Sequence, residues 1–266
     1  MNPIKLRRVR SFDNVEIAYS ENGHGITTLL FIHGGLANRS FWAKQLAALS
    51  DHYRTIAVDL AGHGDSGRNR EIWTIDSFSE DIRAVAEALD LQRIVLIGNS
   101  LGGPVALHSA RLLKGRVIGV VGIDTLHDAT HRVTSAEAKE QANRYRNDFV
   151  KTCREMLEML FHPGQEEKLR KWAEAIMLAM PPEVVVGMME GLAGYDTAEL
   201  FRAAGVPIRA INGDLFPTNV ELNQSIKPDF DAVIMKGAGH YLMLERPEEF
   251  NAHLREIVKQ LEKVAG

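Results

Sequence analysis

The sequence predicts an α/β protein: a mostly parallel, doubly wound sheet with helices on both faces and one helical insertion. Three observations predict it. Apolar runs of strand length alternate with segments of helical period along most of the 266 residues. Most of those short runs are continuously apolar, as strands covered on both faces are. One stretch, residues 127–204, contains no convincing strand. Apolar residues make up 45% of the chain and charged residues 25%, which is ordinary globular usage and excludes a disordered or collagen-like protein. The length allows one large domain or two small ones, with a sizeable core in either case.

Taken in chain order, Val15–Tyr19 alternates and reads as an early strand. Thr27–Ile32 (TTLLFI) is a buried strand, and the first two strands are expected to form an antiparallel edge. Arg54–Val58 is the next strand. Ile75, Phe78, Ile82, Val85 and Leu89 follow with the three-and-four spacing of an amphipathic helix. Arg93–Ile97 and Val117–Ile123 are strands, with a helical run from Pro104 between them. The insertion is helical, punctuated by Pro163–Gly164 and Pro181–Pro182, and carries Met156, Met159, Met177, Met180, Met188 and Met189. Val206–Ile211 and Ala232–Met235 return to the sheet. Phe250, Leu254, Ile257 and Leu261 mark a last amphipathic helix. The expected division is a core of residues 1–126 and 205–266, with residues 127–204 as a lid over the sheet.

Several function classes lose support at once. The net charge of −4 argues against a nucleic-acid surface. The longest apolar candidate, Ala175–Met189, is broken by Pro181, Pro182 and Glu183, so no membrane span is expected. The start MNPIKLRRVR is basic but lacks the apolar stretch of a signal peptide. Cys153 is the sole cysteine, which leaves no internal disulfide and no cysteine-based metal site. A reducing, cytoplasmic setting is the expectation. No G-x-G-x-x-G follows a strand, and neither a P-loop nor H-E-x-x-H occurs, so no cofactor and no metal is expected. The expected partner is a small-molecule substrate, and no oligomeric state is specified.

In sheets of this kind ligands bind beyond the carboxyl ends of the strands. The residues at those positions are His33-Gly34-Gly35, Asp59, Gly98-Asn99-Ser100, Asp124, Asn212-Gly213-Asp214 and His240. Among them, RIVLIGNSLGG at Arg93–Gly103 runs from an apolar strand through Gly98-Asn99-Ser100-Leu101-Gly102 into a helix. This is a G-x-S-x-G elbow with the strand before and the helix after that give it meaning. A serine on so sharp a turn is held above the sheet at a helix N-terminus, where backbone N–H groups favour developing negative charge.

Four segments together resemble an α/β-hydrolase fold protein with a helical cap: HGG at His33–Gly35, DLAGHGDSG at Asp59–Gly67, GNSLGG at Gly98–Gly103 and GAGHYLMLERPEEF at Gly237–Phe250. The resemblance implies a sheet of about eight strands with the lid inserted after the sixth. It further implies a serine hydrolase with Ser100 as nucleophile and His240 as general base. The backbone N–H groups of Gly35 and Leu101 would form the oxyanion hole. His33 and His63 are expected to brace loops.

The acid of the catalytic triad is where the chain departs from the family pattern. Relatives usually carry it after the seventh strand, and the alignment there places Phe216 at the acid position, with Asp214 two residues early. Asp124, at the end of the apolar strand Val117–Ile123, is the preferred acid, because a buried carboxylate needs a partner such as His240. Asp214 is the alternative. The expected activity is hydrolysis of a small, mostly apolar carboxylic ester through an acyl-enzyme on Ser100. Two rivals are C–C bond hydrolysis of a diketone-like acid, which the GNS-x-GG elbow resembles and a pocket arginine would favour, and a non-catalytic ligand binder. The lid methionines either line an adaptable pocket or pack helix on helix. Trp42 and Leu126 are pocket candidates, and Arg144, Arg146 and Arg154 are expected on a solvated face.

Overall fold

The computed structural model describes residues 5–266. The leading residues 1–4 of the segment read against a signal peptide lie outside the described residues. Eight strands form one sheet: β1 Lys5–Arg10, β2 Glu16–Asn22, β3 Thr27–Ile32, β4 Arg54–Val58, β5 Arg93–Asn99, β6 Val117–Ile123, β7 Ile208–Gly213 and β8 Asp231–Met235. Their spatial order is β1-β2-β4-β3-β5-β6-β7-β8. β2 pairs antiparallel with both β1 and β4, and every pair from β4 to β8 is parallel. The continuously apolar strands sit in the middle, and all six residues of β3 are buried.

The antiparallel edge differs from expectation. Val15–Tyr19 and Thr27–Ile32 are not neighbours, because β4 lies between them. The edge is instead β1 with β2. β1 escaped notice because its sequence, KLRRVR, has no apolar run, and Leu6, Arg7, Arg8 and Arg10 are exposed. Charge on an edge strand opposes pairing with other chains. β7 begins two residues later than expected, after Pro207, so Asn212 and Gly213 belong to the strand and not to the loop behind it.

The helices of the sheet layer are α1 Ala43–Leu49, α2 Ile75–Ala88 and α3 Gly102–Leu112, followed late in the chain by α9 Val220–Ile226, α10 Leu242–Glu245 and α11 Pro247–Ala265. Thr74 starts α2 with a capping box closed by Ser77. Five helices intervene between β6 and β7: α4 Ser135–Asn147, α5 Phe149–Leu160, α6 Glu167–Leu178, α7 Pro182–Gly191 and α8 Thr197–Ala203. Their only extended pairing among the described residues is one bridge, Arg132 with Asp196. Pro181 and Pro182 sit at the 87° bend between α6 and α7. No single helix among the described residues is long and apolar enough to cross a membrane. Cys153, on α5, is buried among the core side chains, and burial pushes its thiol up to about 11.

Candidate active site

The elbow is built as steric necessity requires. Ser100 has a φ of 51°, in the left-handed region that costs a side-chain-bearing residue energy. A Cβ on Gly98 would lie 2.0 Å from the Gly102 carbonyl oxygen, and one on Gly102 would lie 2.5 Å from that of Ile32. Only glycine lets β5, the turn and α3 approach this closely. The turn is held by Ser100 N–H donating to Ile123 O at 3.2 Å and by Thr125 Oγ1 donating to Ser100 O at 3.0 Å. Across the cavity, Gly35 lies inside a turn closed by Ala37 N–H to Gly34 O, with Leu36 at a φ of 57°. Neither the Gly35 nor the Leu101 N–H donates to any group among the described residues, and both residues line the cavity beside Ser100.

His240 stands on the loop after β8. Its Nδ1–H donates to Asp124 Oδ2 at 2.6 Å, which leaves Nε2 as the basic nitrogen. Asp124 Oδ1 accepts the Gly213 N–H at 2.8 Å. Burial works to raise the Asp124 carboxyl, but the bond and charge of His240, then His127 and the Gly213 N–H, hold it below the ordinary carboxylate range. Asp124 itself has a φ of 43°, a strained turn that directs its carboxylate to His240. The histidine loop is pinned from three sides. Asn99 Nδ2 donates to His240 O at 3.2 Å and to Ile123 O at 2.9 Å, so one fully buried amide ties the serine, aspartate and histidine loops together. Glu245 accepts from Gly239 N–H and Tyr241 N–H on either side of the histidine. The His240 N–H donates to Leu160 O at the end of α5, 2.7 Å away. The Ser100 hydroxyl and the His240 ring share the cavity without a hydrogen bond between them.

Asp214 is elsewhere. It is exposed, and its Oδ1 ties the loop after β7 to the loop after β8 by accepting Gly237 N–H at 2.9 Å. Phe216, at the family's usual acid position, lines the cavity and meets the His127 ring edge-on at 6.1 Å.

The cavity encloses about 560 Å³. One wall is apolar and comes from the inserted helices: Met156, Leu160, Met188, Met189 and Leu192. The opposite wall carries Ser100, Asp124, His127 and His240. No lysine or arginine lines it among the described residues.

Residues 29–253 match the model of the alpha/beta hydrolase family. The chain belongs to that family. It is 25% identical over 254 residues to the 2-(acetamidomethylene)succinate hydrolase of Mesorhizobium japonicum, covering 91% of each chain. It is 27% identical over 271 residues to the non-heme chloroperoxidase CPO-A1 of Kitasatospora aureofaciens, covering 93% of this chain and 98% of the other. Among solved structures, a thermophilic esterase from Thermogutta terrifontis superposes with a TM-score of 0.84 at 25% identity, covering 97% of this chain and 99% of the other.

Within this alpha/beta hydrolase the remaining sequence expectations fall out unevenly. Leu126 lines the cavity, but Trp42 does not. It is fully buried between Phe31 and Phe250, because it ends a 3₁₀ turn, Arg39–Trp42, that points its ring into the layer between sheet and helices. Arg144, Arg146 and Arg154 pair with Glu155, Glu190 and Glu174 on the surface. The methionines divide between both roles: Met156, Met188 and Met189 face the cavity, Met177 is core, and Met159 is exposed. His33 braces two loops, its Nε2 accepting from Leu60 N–H at 3.0 Å and its Nδ1–H donating to Gly34 O at 2.7 Å. His63 packs on it with ring centres 4.8 Å apart. The site residue that sequence reasoning passed over is His127. Its only signal was position, three residues beyond Asp124 at the end of an apolar strand.

Proposed function

We propose that the protein is a serine hydrolase that cleaves a small, mostly apolar carboxylic ester through an acyl-enzyme on Ser100. The observation that carries this reading is a buried Asp124–His240 pair opening onto the same largely apolar cavity, lined by no lysine or arginine, as an elbow serine. His240 Nε2 takes the Ser100 proton as Oγ attacks the ester carbonyl carbon. The oxygen that becomes negative is met by the Gly35 and Leu101 N–H groups, which are not committed elsewhere and so need no reorganisation. His240 then returns the proton to the departing alcohol. Water repeats the cycle on the acyl-serine, its proton passing to His240 and on to Ser100 as the acid leaves. Asp124 holds the histidine tautomer and stabilises the imidazolium formed in each half. The five inserted helices serve as the lid and supply the apolar wall that receives the substrate. An acidic substrate of the diketone-acid type finds no lysine or arginine in the cavity, which favours the ester reading over C–C bond hydrolysis.

The test is intact-mass spectrometry after treatment with a small fluorophosphonate, followed by peptide mapping. One stoichiometric adduct on Ser100, absent in Ser100→Ala, is the expected result. A folded protein that takes up no adduct, even from the smallest probe, would overturn the reading in favour of a ligand binder.

A further inference from the structure

His127 occupies the polar wall of the cavity, and its protonation is dictated by neighbours far away in sequence. Asn212 is fully buried, and its amide has only one possible orientation. Its Oδ1 accepts the Thr125 N–H at 3.2 Å, and its Nδ2 donates to the Thr125 carbonyl at 3.2 Å. A backbone N–H only donates and a carbonyl only accepts, so the amide cannot be flipped. The same Nδ2, which can only donate, lies 2.8 Å from Thr218 Oγ1 and 3.3 Å from His127 Nδ1, and the Thr218 hydroxyl lies 3.0 Å from that ring nitrogen. Nδ1 therefore accepts, and the ring proton sits on Nε2. Burial also pushes this ring below the ordinary histidine range, so it is uncharged at neutral pH. Asp124 Oδ1 is 3.8 Å from Nε2, beyond hydrogen-bond reach. The cluster of Asn212, Thr218 and His127 thus presents an Nε2–H on the cavity wall that makes no hydrogen bond among the described residues.

We propose that His127 is a specificity-determining residue whose Nε2–H hydrogen-bonds an uncharged oxygen of the substrate, so that the favoured substrates are esters carrying a second acceptor oxygen (ether, hydroxyl or carbonyl). The proposal rests on the ester-hydrolase reading of the same cavity. The acceptor is uncharged because Asp124 and Asp128 line the cavity and no lysine or arginine does, so a carboxylate placed there meets repulsion without compensation. A donor already held in one tautomer loses little freedom on binding, and a substrate lacking the acceptor leaves that donor unpaired.

The experiment compares matched esters in which one methylene is replaced by oxygen. On the acyl side the pair is p-nitrophenyl butanoate and p-nitrophenyl methoxyacetate. On the alcohol side it is butyl acetate and 2-methoxyethyl acetate. For each pair the ratio of kcat/KM values is measured in the native protein, His127→Phe, His127→Gln and Thr218→Val, and taking the ratio between proteins cancels intrinsic reactivity. In at least one pair the preference for the oxygen-bearing ester should fall about three- to tenfold in His127→Phe. It should survive in His127→Gln, which keeps an N–H donor, and weaken in Thr218→Val, which keeps the ring but removes one of the two groups that hold its tautomer. Unchanged ratios in both pairs for His127→Phe and Thr218→Val, with esters still hydrolysed, overturn the role of His127 and leave the hydrolase intact. A native protein that hydrolyses none of the four esters overturns the ester reading and this proposal with it.

Discussion

Asp124 and Asp214 end neighbouring strands of the same sheet, yet their surroundings differ in every respect that matters to a histidine. Asp124 is buried, accepts a backbone N–H on one oxygen and gives the other to His240. Asp214 is exposed and spends an oxygen on the backbone of the loop after β8. Replacing Asp124 by asparagine offers His240 an amide in place of a carboxylate, disturbing its tautomer and leaving the imidazolium unsupported. Steady-state kinetics should show Asp124→Asn slowing kcat about 10³- to 10⁴-fold and Asp214→Asn within twofold of native. Ser100 and His240 were legible in the sequence because each lies in a motif whose local geometry is fixed by nearby glycines. For the acid the sequence favoured Asp124 without excluding Asp214, since which loop tip reaches the histidine is set by a contact 116 residues apart and by no local motif. His127 was not legible at all. Its partners Asn212 and Thr218 are 85 and 91 residues away, and no local pattern announces a contact across that distance.

At the scale of elements, the elbow is the least negotiable part of the chain. Gly98→Ala places a methyl group inside the van der Waals radius of a backbone oxygen that cannot retreat without breaking the turn. Urea denaturation should show a loss of about 3 kcal/mol or more. Gly115→Ala is the informative contrast: nothing lies within 4 Å of its Cβ, and the cost is the left-handed backbone alone, about 1 kcal/mol. Helix α7 bears on chemistry through Met188, which is buried, lines the cavity and lies against Gly35. Met188→Ala should raise kcat/KM for bulky p-nitrophenyl esters relative to the acetate, while lowering stability by about 2 kcal/mol or more. The central strands were readable because burial on both faces leaves a continuous apolar signature. β1 was not, because an edge strand is designed by charge and carries no such run.

Across the whole molecule, two buried histidines tie stability to pH. His33 is held down to about 4 and His63 to about 3, both by burial, against an ordinary 6.5. The unfolded chain therefore binds protons at these sites between pH 6.5 and roughly 3–4 where the folded chain does not, and stability is greatest above 6.5 and falls as the pH drops. Thermal melting should show Tm decreasing from pH 6.5 toward 4, with a shallower slope in His63→Gln. The inserted helices form one wall of the cavity, and their sole thiol offers a way to measure whether they open. Cys153 is buried on α5 with its thiolate suppressed, and α5 ends at the carbonyl that fixes His240. A disulfide reagent can reach that sulfur only when α5 opens, so at pH 8 the labelling rate relative to that of a free thiol reports the population of the opened form. With no other cysteine in the chain to answer, the colour that develops reports the opening of α5 alone.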